Sequence, residues 1–230
     1  AANGMGRQMA IGFAESGADV VLVDINLPGA ELTAGEIEPL GGRVLAIACD
    51  VSDTEQITNL YTTIDSEFGR VDVVGNVAGE GNVGRPEDLP LDKVQEALQN
   101  LVVGRFASCQ EAGRRMLEQG RGSIINFGSI GGWNSLGRGH APYGMAMGAV
   151  IQMTRELSTE WASRGVRVNA ILPAQVWNDG LRKRVAEVPE LEETFKGGIP
   201  MGRLGKPEEI KGPAIFLADR KSTRLNSSHW

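Results

Sequence analysis

The chain has 230 residues, of which 41% are hydrophobic and 23% charged, a composition typical of a globular protein with one large or two small domains. Its formal net charge of -6 excludes an electrostatic grip on nucleic acid, which needs clustered basic charge. No apolar run approaches the ~18 residues that span a bilayer. No basic segment followed by an apolar one opens the chain, so we expect neither a membrane span nor a signal peptide.

The cysteines and histidines give no sign of a metal site. Cys49 and Cys109 lie far apart in apolar patterns, which indicates buried free thiols rather than a disulfide. His140 and His229 stand at no usual metal-ligand spacing from either cysteine, so no metal is predicted. Free thiols are typical of a reducing compartment, and we therefore expect a cytoplasmic protein.

Apolar runs alternate with amphipathic stretches along the chain. Strands are predicted at 18–24, 43–49, 71–77, 123–127 and 166–172, and helices at 4–16, 29–40, 53–68, 91–118, 141–163 and 207–218. The 18–24 strand is continuously apolar rather than alternating, which is typical of parallel strands covered on both faces. The sequence therefore predicts an α/β fold with a doubly wound parallel sheet.

Both ends of the chain depart from this pattern. The glycine-rich turn at Gly4 has no strand before it, and the periodicity stops at Ala218. We therefore expect a single domain over 1–218 whose first and last strands are missing, followed by a non-native tail at 219–230.

A nucleotide site is predicted from the first turn and the strand after it. Gly4-Met5-Gly6 opens a helix, where N–H groups and the helix dipole favour a pyrophosphate, although two glycines there are often only a turn. The strand then ends in Asp24, about 20 residues on, where a carboxylate can bind an adenosine ribose and would repel a 2′-phosphate. No arginine follows Asp24, and Asn3 rather than a basic residue precedes Gly4. The pattern favours NAD over NADP; the alternative for Asp24 is a solvated strand end.

Four further motifs stand in register with this turn: Cys49-Asp50-Val51, Asn76-Val77-Ala78-Gly79, the run from Arg167-Val168-Asn169 to Pro173-Ala174, and the run from Pro200-Met201 to Glu208-Glu209. Together they resemble the short-chain dehydrogenase/reductase family over residues 1–218, in particular its NAD-preferring members similar to 3-oxoacyl-ACP reductase and glucose 1-dehydrogenase. Val77 departs from the pattern, because the family has a second asparagine there. The resemblance implies a Rossmann fold and hydride transfer between a nicotinamide and a carbonyl or alcohol.

The resemblance also implies which residues hold the dinucleotide. They come from the first turn, the strand ends and the loop after the last strand: Asn3, Gly4, Met5, Gly6, Asp24, Ile25, Asp50, Val51, Asn76, Ala78, Gly79, Tyr143, Pro173, Ala174 and Val176. Because the coenzyme carries the hydride, the protein must orient the substrate and move a proton.

Three residues match the family's chemical site. The resemblance implies that Ser129 hydrogen-bonds the substrate oxygen, that Tyr143 gives or takes the proton, and that Asn100 holds a water relay. Taken singly, a capping serine, a core tyrosine and a surface asparagine would explain them. Their register with the nucleotide motifs favours the site.

Met147 breaks the family pattern. The family has Tyr-x-x-x-Lys, whereas this chain reads Tyr143-Gly144-Met145-Ala146-Met147. In the family the lysine lowers the tyrosine pKa and holds the nicotinamide ribose, and a methionine can do neither. The change indicates an error or knockout in an active enzyme, a natural pseudo-enzyme, or replacement by a lysine from elsewhere in the chain.

Three functions therefore stay open: an NAD(H)-dependent oxidoreductase impaired at Met147, a dinucleotide-binding protein without turnover, and a non-functional fragment. Residues 174–200 should cover the substrate, and a mixed, mostly apolar set of their side chains favours a hydrophobic or medium-sized alcohol or ketone: Trp177, Asn178, Leu181, Val185, Val188 and Phe195. The resemblance further implies a homotetramer or homodimer that packs through the helices at 91–118 and 141–163.

Overall fold

The computed structural model describes residues 1–219, in which five strands alternate with helices. The described residues form two compact units, one made of Ala1–Ile47 and Pro173–Ile215 and the other of Ala48–Leu172 and residues 216–219. The single domain expected over 1–218 stays a prediction, and residues 220–230 of the expected tail lie outside the described residues. No helix within 1–219 combines the length and apolar character needed to cross a bilayer.

The first unit contains the strand pair β1 (Val20–Asp24) and β2 (Val44–Ala48). Helices α1 (Gly4–Glu15) and α2 (Leu27–Ile37) pack against β1 through a buried cluster made of Ala10, Ala14, Val20, Leu22, Ala30 and Ile37. The later part of the chain adds α7 (Asp179–Glu187), α8 (Glu190–Gly197) and a 3-10 turn (Pro207–Ile210) before α9 (Lys211–Ala218). Residues 174–200, expected to cover the substrate, therefore carry two short helices that the sequence did not predict.

The second unit contains a parallel sheet of β3 (Val73–Asn76), β4 (Gly122–Phe127) and β5 (Val166–Ile171), in that order. Its helices are α3 (Thr54–Phe68), α4 (Leu91–Leu98), α5 (Gly104–Gln119) and α6 (Ala141–Trp161). In the central strand β4, the side chains of Ile124 and Ile125 point to opposite faces and are both fully buried. Both faces of this strand are therefore covered, which is typical of strands in parallel sheets.

The prediction of one uninterrupted helix over 91–118 is wrong in one detail. A π-helical turn (Gln99–Val103) separates α4 from α5, and the N–H of Gly104 bonds the carbonyl of Gln99 five residues back. Such a turn changes the angular position of every residue after it, so a fixed helical period cannot follow the buried face across it. Leu101 within the turn is buried, which shows that the turn belongs to the packed interior.

Both cysteines are buried free thiols, as predicted. Burial raises the pKa of Cys109 to about 12, so this thiol is neutral and unreactive at physiological pH.

Gly104 marks a close approach of two backbones inside the second unit. A Cβ atom on Gly104 would lie 1.7 Å from the carbonyl oxygen of Val51, a backbone atom that cannot rotate away. The start of α5 can therefore pack against the segment after β2 only if the residue is glycine.

We predict that Gly104→Ala destabilises the protein by about 1–3 kcal/mol, because the added methyl group forces the two backbones apart. Gly148→Ala is the control, since its Cβ would meet only the carbonyl oxygen of Gly132 at 3.6 Å, and alanine in a helix is favoured over glycine by about 0.5–1 kcal/mol. Urea unfolding of the two variants measures the difference. Equal free energies of unfolding would contradict the close approach.

Candidate active site

The glycine turn predicted to bind phosphate lies at the N-terminus of α1. Gly4 has a φ of +56°, a conformation that favours glycine. Asn3 is extended, its side chain makes no capping hydrogen bond, and the first turn holds no acidic residue. The side chain of Asn3 therefore does not compete for the first N–H groups of α1, which are oriented for an anionic group such as a phosphate.

Asp24 ends β1, and its side chain is 23% exposed. Its Oδ2 accepts hydrogen bonds from the amine of Ala1 at 2.6 Å and the N–H of Ala2 at 2.8 Å, and its Oδ1 accepts one from the N–H of Asn26 at 3.0 Å. Burial alone would raise the pKa of Asp24, but these hydrogen bonds hold it below its ordinary value. The strand end therefore carries an ionised, acceptor-only carboxylate, beside the exposed side chain of Ile25.

The segment from Pro173 to Trp177, in the same unit, is braced by the later motif. Val176 forms a parallel bridge with Gly205, and the N–H of Trp177 donates to the carbonyl of Gly205 at 3.0 Å. Close to Gly205, Glu209 accepts hydrogen bonds from the guanidinium of Arg203 at 2.6 and 2.9 Å, and this ion pair lowers the pKa of Glu209 to about 2. The motif around Gly205 thus fixes the loop of Ala174 and Val176.

In the second unit, Asp50 and Val51 lie in a turn that is stabilised by side-chain hydrogen bonds. The carboxylate of Asp50 accepts the N–H of Ser52 at 2.8 Å and its hydroxyl at 2.7 Å, and the carbonyl of Ser52 accepts the Nε2 of Gln99 at 2.8 Å. The side chain of Asp50 therefore shapes its own turn, and the carbonyl of Ser52 connects this turn to the π-helical turn.

Asn76 belongs to a polar network that links the sheet to α5 and α6. Its Nδ2 donates to Oδ1 of Asn126 at 2.9 Å, and its Oδ1 accepts the hydroxyl of Ser108 at 2.8 Å. Asn126 in turn donates to the hydroxyl of Thr154 at 3.0 Å. The side chain of Asn76 thus joins β3 to β4 and α5, and its assignment to the coenzyme stays a prediction.

The loop after β3 brings two candidate catalytic residues together. A Cβ on Gly79, whose φ is +130°, would lie 2.8 Å from Oδ1 of Asn100, and a Cβ on Gly81 would lie 2.7 Å from Cδ2 of Tyr143. The backbone therefore runs directly against both side chains. Oδ1 of Asn100 is buried and accepts no hydrogen bond from any described residue, so it suits a water or ligand donor.

Ser129 follows β4 and is 7% exposed. Its Oγ accepts the N–H of Gly131 at 3.0 Å, so it caps the short 3-10 turn that follows, and its own hydroxyl proton stays available to donate. That turn packs on α6, because a Cβ on Gly132 would lie 2.5 Å from the backbone of Met147. Ser129 and Tyr143 are thereby held to the same helix.

Tyr143 lies in the first turn of α6, half-buried, with the ring of His140 edge-on at a centroid distance of 6.2 Å. Met147, one turn later, is 1% exposed and packs in an apolar cluster with Leu101, Ala146 and Val150. Position 147, where the sequence resemblance predicts a lysine, is therefore a packed core position.

Arg105 is a buried residue beside the candidate site that was not predicted from the sequence. This residue of α5 is 4% exposed, and its guanidinium donates to the carbonyls of Phe127 at 2.6 Å and Ala78 at 3.0 Å. Burial lowers its pKa to about 10. The signal was present in the sequence, since Arg105 stands at helical spacing from apolar residues of α5 that are all buried, namely Cys109, Ala112 and Met116.

Comparison with known proteins agrees with this arrangement. The family model described as enoyl-(acyl carrier protein) reductase matches residues 1–229. The crystal structure of a short-chain type dehydrogenase/reductase from Mycobacterium marinum superposes with a TM-score of 0.89 at 29% identity, covering 96% of this chain and 87% of that one. This chain belongs to the short-chain dehydrogenase/reductase family. The predicted Rossmann fold, with helices packed on parallel strands, is therefore confirmed.

Two relatives of this dehydrogenase/reductase chain are named for their activities. D-threitol dehydrogenase of Mycolicibacterium smegmatis is 34% identical over 228 residues, which cover 99% of this chain and 86% of that protein. NAD-dependent glycerol dehydrogenase of Listeria innocua is also 34% identical, and the match covers 100% of this chain and 88% of that protein. The family is one of oxidoreductases, and the oxidoreductase class predicted from the motifs is confirmed.

We predict that Thr154→Val destabilises this dehydrogenase/reductase chain by about 1–3 kcal/mol. The substitution removes the hydroxyl that accepts the hydrogen bond from Nδ2 of the buried Asn126, and this donor is then left unsatisfied. Thr159→Val is a matched control on the same helix, since both hydroxyls donate to the carbonyl four residues back but Thr159 is exposed. Its effect should stay within about 0.5 kcal/mol. Chemical denaturation measures both, and equal losses would show that the network contributes nothing.

Proposed function

We propose that the chain is an NAD(H)-dependent oxidoreductase that interconverts a small alcohol and its ketone. One observation carries the proposal: Tyr143, at the position of the family's proton-transferring tyrosine, and Asn100, with an unpartnered buried oxygen, contact the same short loop at Gly79 and Gly81. A tyrosine without such surroundings would be an ordinary helix residue.

The residues of the first unit fit a dinucleotide. The first N–H groups of α1, after Asn3, Gly4, Met5 and Gly6, suit its phosphates, and the ionised carboxylate of Asp24 suits the ribose hydroxyls of its adenosine. The same negative charge disfavours the 2′-phosphate of NADP, which supports NAD as the coenzyme. The NAD dependence of the glycerol dehydrogenase relative supports the same choice. When bound, the nicotinamide supplies or accepts the hydride.

The residues of the second unit would carry out the proton transfer. In ketone reduction, the hydroxyl of Tyr143 donates its proton to the carbonyl oxygen; in alcohol oxidation, its phenolate accepts the hydroxyl proton. The free hydroxyl proton of Ser129 would hold the substrate oxygen, and Oδ1 of Asn100 would hold a water that exchanges protons with solvent. Because phenolate is scarce near neutral pH unless a cation is close, oxidation depends more than reduction on the charges around Tyr143.

Short polyols are the substrates to test first. Two relatives are named for D-threitol and glycerol, which favours a small polyhydroxylated alcohol over the hydrophobic one that residues 174–200 predict. Assembly as a homodimer or homotetramer and a cytoplasmic location stay predictions.

A second candidate is a protein that binds the dinucleotide without turnover. It is favoured by Met147, because a packed apolar side chain stands one turn after Tyr143 where the family pattern places a cation. Binding of NADH without its consumption in the presence of glycerol-derived and threitol-derived ketones would support this candidate and contradict the first.

We predict that Asp24→Ser reduces the preference for NADH over NADPH at least about tenfold, because it removes both the ribose acceptor and the repulsion of a 2′-phosphate. Asp19→Ser is the matched control, since Asp19 is an exposed carboxylate just before the same strand, paired with Arg43. Fluorescence titration with each coenzyme gives the ratio of dissociation constants. An unchanged ratio in Asp24→Ser, or an equal change in Asp19→Ser, would overturn the role of Asp24.

We predict that Tyr143→Phe lowers the rate of NADH consumption by about 10²–10⁴-fold, the usual contribution of general acid catalysis. Tyr61→Phe is the control, because Tyr61 is the other of the chain's two tyrosines and its hydroxyl contacts Ser108 in the interior. Steady-state assays with both ketones compare the variants. A Tyr143→Phe protein that turns over like the parent would refute the assignment.

A further inference from the structure

His140 stands immediately before α6 and three residues before Tyr143, yet its side chain makes no capping hydrogen bond to the helix. Helices most often begin with a short polar side chain, such as serine or asparagine, that accepts a hydrogen bond from the first turn. The imidazole of His140 instead lies edge-on to the ring of Tyr143, with ring centroids 6.2 Å apart and an interplanar angle of 79°. Position 140 therefore places a ring beside the candidate proton donor rather than a cap on its helix.

A left-handed turn holds this imidazole in place. Gly137, Arg138 and Gly139 have φ values of +62°, +58° and +72°, a conformation that is unfavourable for a residue with a Cβ and persists where surrounding contacts fix it. Nδ1 of His140 lies 3.1 Å from the carbonyl oxygen of Gly137 and 2.9 Å from that of Arg138. The turn therefore presents two carbonyl groups to one nitrogen of the ring.

These two contacts fix the tautomer of the neutral imidazole. Carbonyl oxygens accept hydrogen bonds and donate none, so Nδ1 of His140 carries the proton. A neutral imidazole has one N–H group, and Nε2 is therefore an acceptor with a free lone pair. Nε2 has no hydrogen-bond partner within residues 1–219, and it is not one of the buried atoms that lack a partner. An accessible acceptor therefore stands at the start of α6.

The loop after β3 places His140 at the candidate active site. The N–H of Gly84 donates to the carbonyl of Gly139 at 2.9 Å, and a Cβ on Gly81 would lie 2.7 Å from Cδ2 of Tyr143. One loop therefore packs both on the residue before His140 and on the ring of Tyr143. His140 is half-buried, so part of its ring stays open beside that tyrosine.

The chemistry of Nε2 determines which ligand it favours. An unprotonated ring nitrogen accepts a hydrogen bond from a hydroxyl group and has nothing to donate to a carbonyl or an alkyl group. A polyol that reacts at Tyr143 carries a second hydroxyl on the next carbon, whereas a monohydric alcohol carries an alkyl group there. The polyol satisfies the acceptor, and the monohydric alcohol leaves it unpaired, which lowers affinity in the transition state.

We propose that His140 is a specificity-determining residue, whose Nε2 accepts a hydrogen bond from the hydroxyl group next to the reacting carbon. The site then prefers vicinal polyols to monohydric alcohols. This inference rests on the proposed function and deepens it, because it supports a polyol substrate from side chains of this chain rather than from the names of relatives. His140 takes no proton from the reacting alcohol, since that role belongs to Tyr143.

Two substitutions remove the acceptor in different ways. His140→Phe keeps a ring beside Tyr143 and lacks both nitrogens. His140→Asn keeps an N–H donor and a side chain favoured at the start of a helix, but it has no atom at the position of Nε2. Ser135→Ala is the control, because Ser135 is an exposed residue of the same loop. The ratio of kcat/KM for glycerol to that for 2-propanol, with NAD as coenzyme, compares the four proteins.

We expect this ratio to fall about tenfold in both His140 variants, the loss of one hydrogen bond to substrate, and to match the parent in Ser135→Ala. An unchanged ratio in His140→Phe and His140→Asn would overturn the role of His140. An equal fall in Ser135→Ala would also overturn it, because the effect would then belong to the loop rather than to Nε2.

A readout without turnover separates this proposal from the proposed function. Nitrogen-15 NMR reports the protonation of each ring nitrogen, and the chain has two histidines, so the signals lost in His140→Asn are those of His140. At about pH 8.5, well above the ordinary pKa of histidine, we expect a proton on Nδ1 and none on Nε2. Saturating glycerol in the presence of NAD should then displace the Nε2 resonance.

A proton on Nε2, or an Nε2 resonance that glycerol leaves in place, would contradict the role of His140. If glycerol displaces the resonance and no alcohol is oxidised, the proposed function fails and the binding role of His140 stands. If the parent and both His140 variants oxidise glycerol with the same preference over 2-propanol, the proposed function stands and the role of His140 fails.

Discussion

The two hydrogen bonds from Arg105 to the carbonyls of Ala78 and Phe127 hold the ends of β3 and β4 in register. The loops that start there carry Gly79, Gly81 and Ser129, and through them the contacts of Asn100 and Tyr143. A buried guanidinium supplies several donors in a rigid fork, which a lysine or an apolar side chain could not reproduce. The same group therefore positions the backbone on either side of the candidate active site.

The two units carry different parts of the chemistry. The first presents an uncapped helix N-terminus and an ionised carboxylate at Asp24, which suit phosphates and sugar hydroxyls. The second presents hydroxyl and amide groups at Ser129, Tyr143 and Asn100, which suit proton transfer. One turn after Tyr143, the second unit has the packed side chain of Met147.

Much of this could be predicted from residues whose local chemistry is sufficient. Asp53 caps α3 through local chemistry, because its carboxylate accepts the N–H groups of Glu55 and Gln56, and Asp24 ends its strand as its apolar run requires. The π-helical turn could not be predicted, because one changed turn alters the phase without altering the composition. The spacing of Arg105 predicts that it is buried, but its hydrogen-bond partners could not be predicted. The two carbonyls that it contacts lie 22 and 27 residues away in sequence.

The proposed function requires this chain to transfer hydride from a bound nicotinamide to a ketone. Deuterium transfer measures that event itself. The purified chain is incubated with NADH that carries deuterium at both C4 positions and with the ketone derived from glycerol or D-threitol, and the product is analysed by mass spectrometry. We expect one deuterium atom on the newly formed carbinol carbon. Product without deuterium, or no product while NADH is bound, would contradict hydride transfer by this chain.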